Sequence, residues 1–162
     1  MLWEQQVRYA AKTDIGFRRQ NNQDSCAVLL CSKREEWDEG GHLFVVADGM
    51  GGHAVGELAS KIAVDTVPHM FAKLRDRTQI EALRIAVESA NEAINERGSE
   101  NIEFLRMGTT CSTLVLCPLG AIIGHVGDSR VYRIRNRQIE QLTFDHSLVW
   151  EMIYTRQVSP RD

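Results

Sequence analysis

No apolar stretch in these 162 residues is long enough to cross a bilayer, and the first residues, MLWEQQVRYAAK, hold no apolar core of the kind a secretory leader needs. No membrane contact is expected in this region. An excess of positive charge is also missing. The formal net charge is −3, which argues against a nucleic-acid binder and gives no attraction to anionic lipid. The four cysteines, Cys26, Cys31, Cys111 and Cys117, form no C-x-x-C pair and no zinc spacing. None is followed six residues later by an arginine, as a cysteine-based phosphate loop would require. All lie in apolar strand-like runs, where cysteine behaves as a small hydrophobe, and a reducing cytoplasm is the simplest setting. Repeats, low-complexity tracts and linkers are absent too. With 43% hydrophobic residues, the chain can bury a real core as one domain.

The rest of the chain is organised around His42–Gly56, HLFVVADGMGGHAVG. Leu43–Ala47 is an unbroken apolar run of strand length and reads as a buried central strand. It delivers one carboxylate, Asp48, into a glycine-dense turn that passes straight into a helix. A carboxylate at the end of a buried strand is costly unless a metal ion or strong donors meet it, and the glycines let backbone come close to whatever sits there. An equally simple reading is that Asp48 caps the helix and the glycines only turn the chain. Gly49–Ala54 also fits the dinucleotide fingerprint G-x-G-x-x-A. That motif needs a return to a parallel strand, and here a second helix follows instead, so nucleotide binding is set aside.

Val7–Thr13 reads as a strand, followed by a polar turn through Asp24 and a second strand at Ser25–Ser32. Lys33–Gly41 reads as a hairpin-like connection. Three strands without intervening helices predict antiparallel pairing. A first helix is expected from about Ala54, with a kink or break at Pro68. A second begins with the capping box Thr78/Glu81 and ends at Gly98. Strands are then expected at Thr109–Cys117, Ala121–Val126, Arg130–Arg135 and Gln138–Leu142, the first pair joined by a Pro118–Gly120 turn and the last by Asn136-Arg137. Thr143–Ser147 opens a short helix. The pattern predicts an α+β sandwich.

Five motifs occur in one order: TDIGFRRQNNQD (Thr13–Asp24), VVADGMGGH (Val45–His53), GTT (Gly108–Thr110), GHVGDSR (Gly124–Arg130) and LTxDHS (Leu142–Ser147). Together they resemble the metal-dependent serine/threonine protein phosphatases of type 2C, in the bacterial style. The resemblance implies two antiparallel sheets packed face to face with a helix pair on each outer side, a four-layer α-β-β-α arrangement. It implies hydrolysis of phosphoserine and phosphothreonine in proteins by a metal-activated water at a binuclear site. Two Mn²⁺ or Mg²⁺ ions are expected, with a third, weaker one; oxygen ligands suit these ions. Asp48 matches the bridging carboxylate and Gly49 the carbonyl ligand. Asp24 matches the acid beside the metal pair, and Asp128 the acid at the third ion. Arg19 matches the arginine that grips the substrate phosphate bidentately. The partners implied are phosphoprotein substrates of Ser/Thr kinases.

The chain departs from that family in places. Gln23 stands where many members carry a glutamate, and Met50 replaces the histidine that eukaryotic relatives place after Asp-Gly. Asp14 and Asp145 read as turn or cap residues, His146 as orienting the turn around Asp145, and His42, His69 and His125 as structural or exposed. The family's D-G-[LIV] and terminal Asp-Asn aspartates have no counterpart before Asp162. Residues 1–162 are therefore expected to be the N-terminal two-thirds of a catalytic domain, ending inside the flap. That gap keeps open one alternative, a catalytically inactive phosphoprotein-binding or regulatory pseudophosphatase.

Overall fold

The computed structural model describes residues 6–17, 20–51 and 54–146. Its centre is strand β2 (His42–Met50), hydrogen-bonded on one side to β1 (Asp24–Leu29) and on the other to β4 (Cys111–Cys117), with the two-residue β3 (Gly108–Thr109) alongside its far end. Strand β5 (Gly120–Val126) closes the sheet in the order β1-β2-β4-β5, every pairing antiparallel. Leu43, Val45 and Ala47 are fully buried and face helix α2 (Ala54–Lys73), which packs across β2 and β1. Helix α3 (Gln79–Glu100) lies against α2. The core is the layer between sheet and helices, with Phe71, Val67 and Val115 at its middle. Each such side chain contributes about 1.5–3 kcal/mol by leaving water.

The opposite face of the sheet is more open. Val46, in register between Cys26 on β1 and Ser112 on β4, is 50% exposed, and Cys26 is exposed as well. Residues 7–13 run across this side, where Tyr9 meets Phe44 edge to face at 6.1 Å. The strand expected at Val7–Thr13 does not form, because no ladder partner meets it among the described residues. A second, two-stranded sheet is made by β6 (Tyr132–Arg135) and β7 (Gln138–Gln141). Asn136 and Arg137, both at positive φ (53° and 63°), form its turn, the geometry that matches strand twist in two-residue hairpins. The α+β class with antiparallel sheets and helices is as expected.

Three local expectations are corrected and one is narrowed. The segment expected as a hairpin-like connection contains a helix, α1 (Arg34–Glu39), held from outside itself: Arg75 Nη1 donates to Glu36 O at 3.2 Å, and Gln79 Nε2 to Glu39 O at 3.0 Å. Helix α2 is not broken at Pro68; Val67 and Phe71, fully buried on either side of it, keep the helix on the sheet. Gly98 does not end α3, which runs on to Glu100. A Cβ there would stand 3.3 Å from Phe104 O, so this glycine admits the following turn, Ile102–Phe104, close against the helix. The strand from Thr109 is divided, β3 and β4 keeping one register against β2 with Thr110 between them. The Thr78 cap is as predicted: Thr78 Oγ1 accepts from Glu81 N–H at 3.3 Å, and the Glu81 carboxylate accepts from Thr78. Those bonds from Thr78 hold the Glu81 carboxyl below its ordinary range. The helix expected to open at Thr143–Ser147 lies mostly outside the described residues.

His42 is buried and structural. Cys31 N–H donates to its Nδ1 at 3.1 Å, the Cys31 sulfur lies at the same distance, and the ring packs on Trp37. Cys111 is buried too, and burial pushes its thiol up to about 11, which leaves it a neutral hydrophobe.

Candidate active site

Asp48 lies near the end of β2, directly opposite Asp24 on β1. Directly paired residues in an antiparallel ladder send their side chains to the same face, with Cβ atoms about 5 Å apart. Both carboxylates therefore project from the side of the sheet away from α2. Two like charges so placed repel, and a cation between them would remove the penalty. Asp48 is half-buried and Asp24 exposed.

The backbone around Asp48 is fixed from three directions. Asp48 N–H donates to Thr110 Oγ1 at 3.0 Å, and Thr110 N–H returns to Asp48 O at 2.9 Å. Gly49 N–H donates to Gln23 O at 3.1 Å. A Cβ on Gly49 would stand 1.9 Å from Gly56 O in the first turn of α2, so strand end and helix start meet backbone to backbone. Gly51 adopts φ 131°, where a Cβ would come within 2.8 Å of Arg106 O. The glycines after Asp48 thus do more than turn the chain: they let α2 and residues 106–107 close around it.

Asp128 is exposed on the loop after β5. That loop starts with Gly127 at φ 106° and is gripped by the LTxDHS segment. His146 N–H donates to Gly127 O at 2.8 Å, and Gly127 N–H to His146 Nδ1 at 3.3 Å. Two residues after Asp128, Arg130 forms a forked ion pair with Asp145, Nη2 to Oδ2 at 2.6 Å and Nε to Oδ1 at 2.9 Å. Asp145 is 9% exposed. The guanidinium holds its carboxyl well below the usual range and is itself stabilised in the charged form. The sequence reads Asp145 as a turn or cap residue; through Arg130 it is the anchor of this loop. Asp14 does make the expected turn, accepting from Gly16 N–H at 2.8 Å.

Asp24, Asp48 and Gly49 are brought together, whereas the Asp128 loop meets them through Thr110, which touches both Ser129 and Gly127. Arg19 and His53 lie outside the described residues. Among the described residues no group of three or more His, Cys, Asp or Glu is disposed to hold a metal ion. The oxygen-rich pair at Asp24/Asp48 and the Gly49 carbonyl fit a hard divalent cation as part of its shell. Thr110, Ser129 and Arg130 carry no reading from the sequence alone, although all three lie in the motifs quoted above.

A family model described as protein phosphatase 2C matches residues 18–152. The chain belongs to that family. Among curated relatives, it is 34% identical over 155 residues to the serine/threonine phosphatase stp of Listeria monocytogenes, covering 93% of this chain and 59% of that protein. It is 31% identical over 156 residues to the serine/threonine protein phosphatase PstP of Mycobacterium tuberculosis, covering 96% of this chain and 28% of that protein. The chain therefore spans well under two-thirds of these relatives. A crystal structure of the PstP phosphatase of M. tuberculosis superimposes with a TM-score of 0.76 at 31% identity, over 95% of this chain and 61% of the other. Another, of the PstP catalytic domain in complex with two manganese ions, gives 0.74 at 31% identity, over 95% and 62%.

Proposed function

We propose that this protein removes phosphate from phosphoserine and phosphothreonine in other proteins, using Mn²⁺ or Mg²⁺ held beside Asp48. The observation that carries the reading is the Asp24/Asp48 carboxylate pair at a backbone-locked strand end, in a chain of the type-2C family. A relative's complex with two manganese ions supports a binuclear arrangement. Asp48 would bridge the ions, Gly49 would offer its carbonyl, Asp24 would stand beside the pair, and Asp128 would serve a third ion. Divalent ions there would supply charge neutralisation for the phosphoryl oxygens and acidify a water. Arg19 would grip the phosphate with a planar fork that lysine lacks. Residues 1–162 are proposed to be part of one catalytic domain, acting in the cytoplasm on substrates of Ser/Thr kinases.

A second reading, a non-catalytic phosphoprotein binder, draws on one observation, the lack of a three-ligand metal cluster among the described residues. Phosphate release from a phosphothreonine peptide separates the two. Mn²⁺-dependent release, abolished by a chelator and lowered about a hundredfold or more by Asp48→Asn with the fold intact, supports the enzyme. Peptide binding without turnover, in this chain and in one extended to the length of its relatives, supports the binder. Near-normal turnover of Asp48→Asn at saturating Mn²⁺ refutes the role given to Asp48.

A further inference from the structure

We infer that Thr110 is a positioning residue that fixes the spacing between Asp48 and Asp128 through a hydrogen-bond relay. The inference rests on the metal reading above. Thr110 is 2% exposed, and all three parts of it are engaged. Its backbone N–H donates to Asp48 O at 2.9 Å. Its Oγ1 accepts from Asp48 N–H at 3.0 Å and stands 2.7 Å from Ser129 Oγ. Its methyl packs on Gly127, where a Cβ would come within 2.6 Å of Thr110 Cγ2.

A threonine hydroxyl has one proton to give and two lone pairs. One lone pair receives the Asp48 N–H, which leaves a proton and a second lone pair for Ser129 Oγ, so this bond forms with either hydroxyl as donor, and 2.7 Å is the ordinary O–H···O distance. The contacts Asp48 N–H to Thr110 Oγ1 and Thr110 Oγ1 to Ser129 Oγ thus tie the strand end bearing one carboxylate to the loop bearing the other. The methyl on Gly127 sets how closely that loop can approach. His146 and the Arg130–Asp145 pair hold the same loop from its outer side, so Thr110 is its link to the Asp48 strand end.

The test uses Mn²⁺ as a paramagnetic probe, whose broadening of amide resonances reports where the ion sits even when it binds weakly. The variants are Thr110→Val, Thr110→Ser, Ser129→Ala and the Thr110→Val/Ser129→Ala double. In the parent protein, the amides around Asp48 and around Asp128 should broaden over one common range of Mn²⁺ concentration. Thr110→Val and Ser129→Ala should each move the Asp128 range to about tenfold higher Mn²⁺, as loss of a positioning partner does at metal sites. The double variant should be no worse than Thr110→Val, since both remove the same bond, and Thr110→Ser should restore the parent behaviour. Without metal, Asp48 N–H exchange should quicken in Thr110→Val and not in Ser129→Ala. If Thr110→Val does not fold, Ser129→Ala decides, because Ser129 is only half-buried.

Coincident broadening in folded Thr110→Val and Ser129→Ala, or strictly additive effects in the double, overturns the relay. Asp48→Asn is the control for the reading beneath it. If that change leaves the broadening around Asp48 untouched, the metal reading fails; if it removes the broadening while the Thr110 and Ser129 variants behave as parent, the relay alone fails.

Discussion

Asp145 shows how one side chain can anchor a loop that carries another residue's chemistry. Its carboxylate is almost wholly buried, and the Arg130 fork supplies most of its donors, as a buried charge requires. Because Arg130 lowers the Asp145 carboxyl, the folded state binds fewer protons than the unfolded chain in mild acid. The stabilisation is complete above the ordinary aspartate range, about pH 3.9, and is lost as the pH falls through the lower native value. Replacing Arg130 by methionine keeps the aliphatic bulk and removes the donors. The denaturation midpoint should then fall at pH 7, and the deficit against the parent should shrink as the pH drops below 4. A deficit that is constant from pH 7 to pH 3 would show that Arg130 acts through packing instead. The sequence presents Asp145 as one polar residue in a turn. Only the fold brings it beside an arginine fifteen residues away, which is why its role was not legible.

Among the elements, the junction of β2 with α2 is the one that shapes the candidate site. Gly56→Ala tests it, because two effects oppose each other there. Alanine favours a helix over glycine by about 1 kcal/mol. The added Cβ, however, would stand 2.9 Å from Gly49 C and 3.0 Å from the Gln23 side-chain amide. The backbone carbon cannot swing away as a side-chain tip can, and overpacking of that kind costs about 1–3 kcal/mol. The clash should win: denaturant unfolding should show net destabilisation, and a more stable variant would mean the junction is looser than the geometry states. Strand β2, helices α2 and α3, the Thr78 cap and the Asn136-Arg137 hairpin were legible because their signals are local: apolar period, capping pair, turn residues. The same locality explains what was misread. Helix α1 has no buried residue, and its carbonyls are met by Arg75 and Gln79 from beyond α2. Gly98 looks like a helix stop and is a packing contact with a segment six to nine residues on. In the site, Asp24 and Asp48 could be named from motifs, whereas their direct pairing depends on a strand register that spacing alone does not fix.

At the scale of the whole molecule, the two faces of the main sheet are unequal, and this has a measurable consequence. One face is sealed by α2 and α3. The other presents Val46 at 50% exposure beside exposed Cys26, with Phe44 and Leu114 half-buried. Apolar side chains neighbouring one another across three strands form a continuous patch, and such patches drive association in water. Each aliphatic side chain fully covered returns about 1.5–3 kcal/mol, so covering several can offset part of the entropy lost when two molecules join. The 162-residue chain alone should therefore scatter light as dimers or larger species at micromolar concentration. Val46→Lys should shift it toward the monomer, because a lysine at the middle of the patch must be desolvated whenever the face is covered. Cys26 offers an independent reading on the same face. Its thiol should react slowly with a maleimide in the associated parent and faster in the Val46→Lys monomer, while buried Cys111 and Cys117 stay protected in both. A monomeric parent whose Cys26 reacts at the rate of an exposed thiol would mean that residues 7–13, lying across this side, already cover enough of it to leave the face content with water.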